Sequence, residues 1–242
     1  MHIMSRAATV QHLAWDSKFL SFQVGRLSAD LLSVRQFQQQ LKLAQATGYR
    51  LLYWSVSPHD SESIASAQAV GAFLADHKIR LVQSVAAGAT HLPDRIYPAT
   101  AATDHLQALA IQASEYSRFR VDPGFEADVA DRLYAEWLRQ AFTQDLTHEV
   151  LVYQAHDDLP ATGVLILRNT EERTEIAIIA VDKGCRGRGL GSLLIEAARC
   201  RARARNQASL QVVTQAGNPA RRLYEREGFR LEHEEYLYHL WL

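Results

Sequence analysis

Three glycines, Gly187, Gly189 and Gly191, alternate with Arg188 and Leu190 within the segment GCRGRGLGSLL (residues 184–194). The apolar run EIAIIAV comes shortly before this segment, and a helical pattern follows it. Glycine lets consecutive backbone N–H groups approach an anion, and the amino end of a helix carries a partial positive charge. The spacing therefore predicts a phosphate-binding loop between a strand and a helix.

Two common phosphate motifs do not fit this loop. Gly184 and Gly189 have the separation of a P-loop, G-x-x-x-x-G-K-[ST], but Leu190 and Gly191 stand where the motif needs a lysine and a hydroxyl residue. A dinucleotide-binding fingerprint needs G-x-G-x-x-G after the first strand of a parallel sheet. The spacing here is G-x-G-x-G, after strands joined by connections of hairpin length. Both motifs are therefore excluded.

The segment instead resembles the acyl-coenzyme A loop of the GNAT acetyltransferases, which has the pattern R/Q-x-x-G-x-G/A. Arg186, Gly189 and Gly191 fill its three defined positions. The resemblance implies that the loop amides hold the pyrophosphate of acetyl-CoA and that the preceding strand pairs with the pantetheine arm. A tight turn whose glycines serve only packing is the alternative. The implied coenzyme-binding residues are Ile179, Ala180, Val181, Arg186, Gly187, Arg188, Gly189, Leu190, Gly191 and Ser192.

A second stretch, NPARRLYEREGF (residues 218–229), resembles a later motif of the same family. The family's usual asparagine would fall on Gly217, whereas the asparagine of this chain is Asn218. Asn218 is predicted to cap the helix that Pro219 begins. It is also a coenzyme-binding candidate, although its offset leaves that contact open. The residues that match the motif are Ala220, Tyr224, Gly228 and Phe229.

Tyr224 is the candidate general acid. Attack of an amine on a thioester releases a thiolate, whose conjugate thiol has a pKa of about 8.5 if cysteine is the reference. A neutral phenol can hydrogen-bond this developing charge and return a proton. The alternative is a half-buried helix tyrosine with a structural role.

The sequence does not assign a general base. Glu175 begins the strand before the loop and Asp182 ends it, so both are candidates. Each is also typical of a solvated strand terminus, and a chain of water molecules would serve as well. The ten histidines are scattered without the spacing of metal ligands, so no metal is expected.

These candidate residues need an α/β scaffold to position them. The first part of the chain predicts strands at 22–28 and 49–57, helices at 34–48 and 61–70, and an apolar stretch near 79–86. Two prolines in HLPDRIYPATAATDH mark a predicted boundary near residue 94. This boundary separates a smaller N-terminal α/β domain, residues 1–94, from a GNAT acetyltransferase domain, residues 95–242.

The second part is predicted to contain more strands than helices. The expected fold class is α/β (α+β), and the resemblance implies a GNAT fold with a central mixed sheet, preceded by the smaller α/β domain. The predicted helices are 103–116, 126–142, 190–205 and 219–227. The predicted strands are 95–99, 149–155, 162–168, 175–181, 209–215 and two closing segments, FRLE and YLYHLWL.

Charge and cysteine content narrow the class of protein. A formal net charge of -1 creates no basic field, which argues against nucleic-acid binding. Cys185 and Cys200 lack the paired spacing of a zinc site or a disulfide framework. No segment approaches the apolar length of a membrane helix. A cytoplasmic protein that binds neither nucleic acid nor membrane is expected, and a homodimer is one assembly that it could form.

Four arginines alternate in the run RCRARARNQ, namely Arg199, Arg201, Arg203 and Arg205. On a helix this spacing places the side chains on different faces. They are therefore predicted to be solvated near the end of a helix, where positive charge is favourable. Contact of one of them with the ribose phosphate of the coenzyme is the alternative.

Two further stretches concern the acceptor of the acetyl group. LAWDSKFLSFQVGRL (13–27) and EYSRFRVDPGF (115–125) resemble segments of a GNAT branch that acetylates the 4-amino group of nucleotide-linked (dTDP) sugars. Arg118, Phe119 and Arg120 are the candidate substrate-binding residues, because a guanidinium pairs bidentately with phosphate oxygens. The alternatives are solvated arginines, a peptide, protein or small free amine as acceptor, and a coenzyme A-binding module without turnover.

Overall fold

The computed structural model describes residues 9–28, 34–143, 148–156 and 158–242. The chain divides into two compact units, one made of Met1–Lys78 and Glu234–Leu242 and the other of Ile79–His233. The domain boundary predicted near residue 94 stays a prediction.

The first unit contains strands with helices between them. β2 pairs antiparallel with β1 and parallel with β3, and β3 pairs antiparallel with the end of the last strand of the chain. The elements of this unit are β1 (Thr9–His12), α1 (Ala14–Leu20), β2 (Gln23–Ser28), α2 (Val34–Ala46), β3 (Tyr49–Val56), α3 (Ser61–Ala69) and the beginning of β4 (Phe73–Ser84).

β3 forms the core of the first unit. Leu51, Leu52, Tyr53 and Trp54 are all buried, as expected of a strand that is covered on both faces. The ring of Phe37 on α2 packs against Trp54 with the centroids 4.5 Å apart. The sequence predicts neither β1 nor α1, which are only four and seven residues long, and α1 buries none of its residues.

The second unit is an antiparallel meander with one added parallel strand. Strands β5 to β8 pair antiparallel in chain order, and β9 pairs parallel with β8. The strands are β5 (Ile96–Pro98), β6 (His148–Tyr153), β7 (Gly163–Asn169), β8 (Thr174–Val181) and β9 (Ser209–Gln215). The helices are α4 (Asp104–Gln112), α5 (Arg118–Val121), α6 (Val129–Thr143), α7 (Leu190–Ala204) and α8 (Ala220–Arg226).

Helices cover both faces of this meander. Along β7, Val164 and Ile166 pack in the cluster that includes residues of α4 and α6. Leu165 and Leu167 pack in the cluster that includes residues of α7. Successive side chains of a strand point to opposite faces, so burial of both faces explains the unbroken apolar run of this strand.

The chain ends in one strand, which corrects the prediction of two. β10 (Arg230–Trp241) includes both predicted segments except their outer residues, Phe229 and Leu242, and it includes the polar residues between them. The carboxylates of these polar residues have partners on β4. Lys78 Nζ lies 2.9 Å from Glu235 Oε1, and His77 Nε2 lies 2.9 Å from Glu234 Oε2. The polar run is therefore a paired part of the strand, and it does not mark a turn.

The prediction that the four arginines near the end of α7 are solvated is wrong. Their side chains are between 14% and 31% exposed, and each guanidinium is paired with a carboxylate. The partners lie far away in sequence or one to two helical turns back, and the alternation of the arginines does not reveal them. Arg199 pairs with Glu196 and Glu227, Arg203 pairs with Glu196, and Arg201 and Arg205 both pair with Glu149.

Candidate active site

The loop from β8 to α7 needs its glycines for two different reasons. Gly187 and Gly189 have φ values of 77° and 80°, a region in which a side chain causes strain. A Cβ at either position would meet no atom within 4 Å, so the space beside this backbone is open. Gly191 lies in the first turn of α7, where a Cβ would come within 2.7 Å of Leu223 Cδ2. The loop is therefore open to a ligand, while α7 and α8 pack closely behind it.

Side chains at the entry of the loop fix its backbone. Asp182 Oδ1 accepts a hydrogen bond from Gly184 N at 2.9 Å, and Asp182 Oδ2 accepts one from Gln112 Nε2 at 3.3 Å. Gln112 Oε1 accepts a hydrogen bond from Lys183 N at 3.1 Å. The N–H of Gly184, followed by the amide of Gln112, lowers the pKa of Asp182. This carboxylate is thus a structural anchor and a weak base.

The strands β8 and β9 diverge along their length, in a region where every residue is described. Their parallel register ends at Ile176 and Val212. A bulge falls at the same point of β8, because consecutive residues of β7 pair with Ile176 and Ile178 and skip Ala177. Beyond the bulge, both strands line one cavity. The backbone groups of β8 on this side are therefore available to an extended ligand.

The diverging strands, the glycine loop and α8 surround a cavity of about 520 Å³. Ten of the eleven predicted coenzyme-binding residues line it, together with Tyr224; Arg188 does not. The structure thus brings the predicted coenzyme site and the predicted acid to one place, while their roles stay predictions. The ten residues are Ile179, Ala180, Val181, Arg186, Gly187, Gly189, Leu190, Gly191, Ser192 and Asn218.

Tyr224 lines the cavity from α8, with 3% of its surface exposed. Its ring meets Phe229 edge-on, with the centroids 5.7 Å apart. Burial, and after it the neighbouring hydroxyl of Tyr134, raises the pKa of Tyr224 well above its ordinary value. The phenol therefore stays protonated, and able to donate a hydrogen bond, at neutral and moderately alkaline pH.

The side chain of Asn218 bonds the first residue of α8, although Pro219 and not Asn218 occupies the N-cap position. Asn218 Oδ1 accepts a hydrogen bond from Ala220 N at 3.0 Å, and its Nδ2 donates one to Gln215 Oε1 at 2.9 Å. Pro219 follows directly at the start of the helix. The side chain thus has a structural role beside the cavity, and its contact with a coenzyme stays a prediction.

The segment Arg118–Arg120 lies in a short helix, α5, and none of its three residues is among the described residues that line the cavity. Phe119 is buried, and the centroid of its ring lies 5.1 Å from that of the Phe125 ring. The guanidinium of Arg118 lies over the Phe119 ring, with its Cζ 4.6 Å from the ring centroid. Arg120 donates hydrogen bonds to Ser114 Oγ at 2.6 Å and to Asp131. The structure therefore gives these side chains internal partners, and their predicted role in substrate binding stays a prediction.

Neither candidate for the general base lies in the cavity lining. Glu175 is bound by Arg168 Nη2 at 2.6 Å and by Gln211 Nε2 at 3.0 Å. Asp182 is bound by Gly184 and Gln112, as described above. Both carboxylates are therefore occupied by internal partners, and the structure favours neither as a base.

Four lining residues carry no sequence signal of their own. Gln112, Glu115, Tyr116 and Tyr134 come from α4, the 3₁₀ turn Ala113–Tyr116 and α6. They have no motif spacing, because the packing of α6 against the turn brings them together. The position of Glu115 and Tyr116 inside the EYSRF stretch is the one feature that could have pointed to them.

Several other classes of site are not found in the described part of the chain. It contains no group of three or more side chains placed to hold a metal ion. Its two cysteines are free thiols, Cys200 buried and Cys185 partly exposed at the cavity. None of the helices in the same ranges combines the length and the apolar character of a membrane span.

Comparison with solved structures identifies the class of fold. The chain is similar to a functionally unknown conserved protein from Staphylococcus epidermidis, with a TM-score of 0.68, 13% identity and coverage of 99% of this chain and 93% of that chain. It is also similar to a GCN5-related N-acetyltransferase from Sphaerobacter thermophilus, with a TM-score of 0.60 and 14% identity. That match covers 97% of this chain and 76% of the other chain. The predicted fold class, a mixed α/β fold of the GNAT type, is confirmed.

Sequence comparison then assigns a domain. Residues 147–231 match the family model for an acetyltransferase (GNAT) domain, so this part of the chain is a GNAT domain. The chain is also 32% identical, over 133 residues, to dTDP-fucosamine acetyltransferase from Escherichia coli O6:H1. That match covers 54% of this chain and 56% of the relative, so the chain spans about half the length of the curated relative that it matches. The resemblance predicted from the sequence is confirmed.

Proposed function

We propose that this chain is an acetyl-CoA-dependent N-acetyltransferase that moves an acetyl group to a primary amine by direct attack on the thioester. One observation carries the proposal: the open glycine loop, the diverging strands β8 and β9 and the buried phenol of Tyr224 surround a single cavity. Acetyl transfer from this coenzyme needs an anion site, an extended groove and a proton donor in one place. The GNAT domain and the acetyltransferase relative support the same function.

In the proposed complex, the coenzyme lies along β8 and across the loop. The amide groups of the pantetheine arm bond to the backbone of Ile179–Val181, which lies beyond the end of the β8 pairing with β9. The pyrophosphate lies against the N–H groups of the loop and the amino end of α7, where partial positive charge is concentrated. Arg186 and Arg226 add full positive charges to the cavity lining.

Tyr224 is the proton donor of the proposed reaction. The amine nitrogen forms a bond to the acetyl carbon, the C–S bond breaks, and the departing thiolate takes the proton of the phenol. The raised pKa of Tyr224 keeps the phenol neutral until then. Its burial places the donor away from water, where a hydrogen bond to a developing charge is strong.

The acceptor that we propose is the amine of a nucleotide-linked amino sugar. Its support is the relative named dTDP-fucosamine acetyltransferase, which matches over about half of its own length. Arg118, Phe119 and Arg120 lie outside the described cavity lining, so the acceptor assignment rests on the relative and not on these residues.

A thiol-release assay tests the proposal. Acetyl-CoA is offered with a dTDP-linked 4-amino sugar, the free amino sugar, an N-terminal peptide and a small diamine, and acetyl-CoA binding is measured by calorimetry. We expect tight coenzyme binding and the highest kcat/KM for the linked sugar. A preference for the peptide or the diamine would change the acceptor class. If acetyl-CoA binds but no amine gives thiol release, the chain is a coenzyme-binding module and not an enzyme.

A further inference from the structure

Glu115 is the acidic residue among the described residues that line the cavity. It lies in the 3₁₀ turn Ala113–Tyr116, directly after α4. The basic residues of the lining, Arg186 and Arg226, belong to the glycine loop and to α8. The lining therefore carries positive charge on the side proposed for phosphate groups and negative charge at the turn.

The carboxylate of Glu115 is free of internal partners, whereas neighbouring carboxylates are not. Asp182 is bound by Gly184 and Gln112, and Asp131 is paired with Arg120. Within the described ranges, no hydrogen bond or ion pair engages Glu115, and its side chain is exposed. An unpaired carboxylate in a cavity wall can bind a cationic ligand without first breaking an internal contact.

Two aromatic side chains line the cavity with Glu115. Tyr116 follows it directly and is 38% exposed. Tyr134 on α6 packs against Trp137, with the ring centroids 5.0 Å apart. The faces of aromatic rings attract cations, and a carboxylate adds a full opposite charge. At neutral pH a primary amine is an ammonium ion, so this wall has the chemistry that recognises the acceptor.

We propose that Glu115 accepts the proton that the acceptor ammonium must lose before attack, and that it holds the ammonium beside Tyr116 and Tyr134. The inference rests on the proposed acetyl transfer and adds the proton acceptor that the sequence left unassigned. It also places the acid and the base on different walls, because Tyr224 belongs to α8.

The proton balance of the step is complete. One N–H proton of the ammonium passes to the Glu115 carboxylate, and the freed lone pair forms the C–N bond. The C–S bond breaks, and the thiolate takes the proton of Tyr224. A second N–H proton, made acidic by amide formation, passes through solvent to the Tyr224 phenolate. Glu115 is exposed and returns its proton to water, so one proton is released for each amide formed.

The titratable groups around the turn leave this role to Glu115. The turn packs against α4, α5, α6 and β8. Across the cavity the titratable and charged groups are Cys185, Arg186, Arg226 and the buried Tyr224, and on the wall of Glu115 they are Tyr116 and the partly buried Tyr134. Asp104 stands at the amino end of α4, whereas the turn follows the carboxyl end of this helix. The other charged groups of the packed elements have contacts elsewhere, namely His105 with Ala161 O, Arg118 with the Phe119 ring, Arg120 with Asp131, Arg132 with Glu126 and Asp128, Arg139 with Glu136, and Glu175 with Arg168.

The test compares Glu115→Gln with the wild-type chain over a range of pH, using the amine that gives the highest kcat/KM in the panel. We expect acetyl-CoA affinity to be unchanged and kcat/KM at neutral pH to fall by ~10²-fold. Without its proton acceptor, the variant depends on the fraction of free amine. Its deficit should therefore shrink by about tenfold per pH unit toward the pKa of the acceptor. Glu115→Asp should recover part of the rate.

Glu126→Gln is the matched control, because Glu126 is an exposed carboxylate of the same unit outside the cavity lining. It should match the wild type at every pH. A Glu115→Gln deficit that is constant across pH, an unchanged kcat/KM, or a loss of acetyl-CoA affinity would each overturn the proposal while leaving acetyl transfer intact. If the wild-type chain itself transfers no acetyl group to any amine, the proposed function and this inference both fall.

Discussion

The glycine loop and the segment Arg118–Arg120 are both arginine-containing stretches that the sequence assigns to phosphate binding, but they differ in the structure. The loop lines an open cavity with its backbone, at φ values that favour glycine. The side chains of the other segment turn to internal partners, with Arg120 bound to Asp131 and Arg118 placed over Phe119.

The difference follows from the groups that would bind the ligand. Backbone N–H groups of a glycine loop have their conformation set by the local sequence. A guanidinium sits at the end of a long, flexible side chain, and it pairs with whichever carboxylate the fold brings near. Ligand binding by backbone is therefore easier to predict from a motif than ligand binding by side chains.

The largest expected effect is at the loop. Gly189→Asp places a carboxylate in the open space where the pyrophosphate is proposed to lie, so we expect the Kd for acetyl-CoA to rise ~10²-fold or more. Gly189→Asn is the control, because it imposes similar backbone strain at a φ of 80° without the charge. Calorimetry on both variants separates charge from strain. If the Asp variant binds as tightly as the wild type, no phosphate lies at this loop.

The next effect concerns Tyr224, a side chain that the fold buries at the cavity. Tyr224→Phe should lower kcat by ~10²-fold with little change in coenzyme affinity, because the lost hydrogen bond forms as the thiolate departs. Since burial raises the pKa of Tyr224, the neutral donor persists as pH rises, and wild-type kcat should not decline in moderately alkaline solution. Steady-state kinetics at several pH values measure the loss of kcat in the variant and the pH dependence of kcat in the wild type. Tyr97→Phe, an exposed tyrosine on β5, serves as control. Wild-type turnover in the Tyr224 variant would make this side chain structural.

A third test asks what the arginines of α7 contribute. Arg199 donates hydrogen bonds to Glu227 Oε2 and Glu196 Oε2 at 2.8 Å and 2.9 Å, and its side chain is 15% exposed. Arg199→Met should lower the free energy of unfolding by about 2 kcal/mol, because it leaves the partly buried Glu227 carboxylate without its arginine partner. Denaturant unfolding measures this change. Arg221→Met, which breaks an exposed pair with Glu225, should cost less than about 0.5 kcal/mol. Equal losses of stability in the two variants would contradict a larger contribution of Arg199 to the free energy of unfolding.

The smallest effect is expected at the segment Arg118–Arg120. Arg120→Ala and Asp131→Ala should each change the free energy of unfolding by no more than about 1 kcal/mol, because the pair is partly exposed. The double variant should be no less stable than either single one. Arg118→Ala with Arg120→Ala should leave acetyl-CoA affinity intact. A large loss of kcat/KM for the dTDP-linked sugar alone would show that these side chains bind the diphosphate, and the contrast with the loop would then disappear.

The elements of the second unit illustrate what local patterns can predict. β9 coincides with its predicted range, Ser209–Gln215, a short stretch with the β-branched residues that favour strands, and every second residue of it is buried. The closing strand was predicted as two, because the pairing of Glu234 and Glu235 with β4 residues is not a local property. The sequence correctly associates Asn218 with the amino end of α8, since its hydrogen bond to Ala220 N joins residues that are close in sequence, although Pro219 occupies the N-cap position.

The sequence by itself determined the features that depend on backbone and short-range spacing. These are the strand, glycine loop and helix around Arg186–Gly191, and the motif that carries Tyr224. The tertiary structure alone decided which side chains meet. It placed Glu115 and Tyr134 at the cavity, gave Arg120 and Arg199 internal partners, and ended the pairing of β8 with β9 at the bulge. The physical reason is the distance along the chain between the interacting residues. Neighbouring residues set local conformation, whereas side-chain pairing and burial depend on residues that packing brings together.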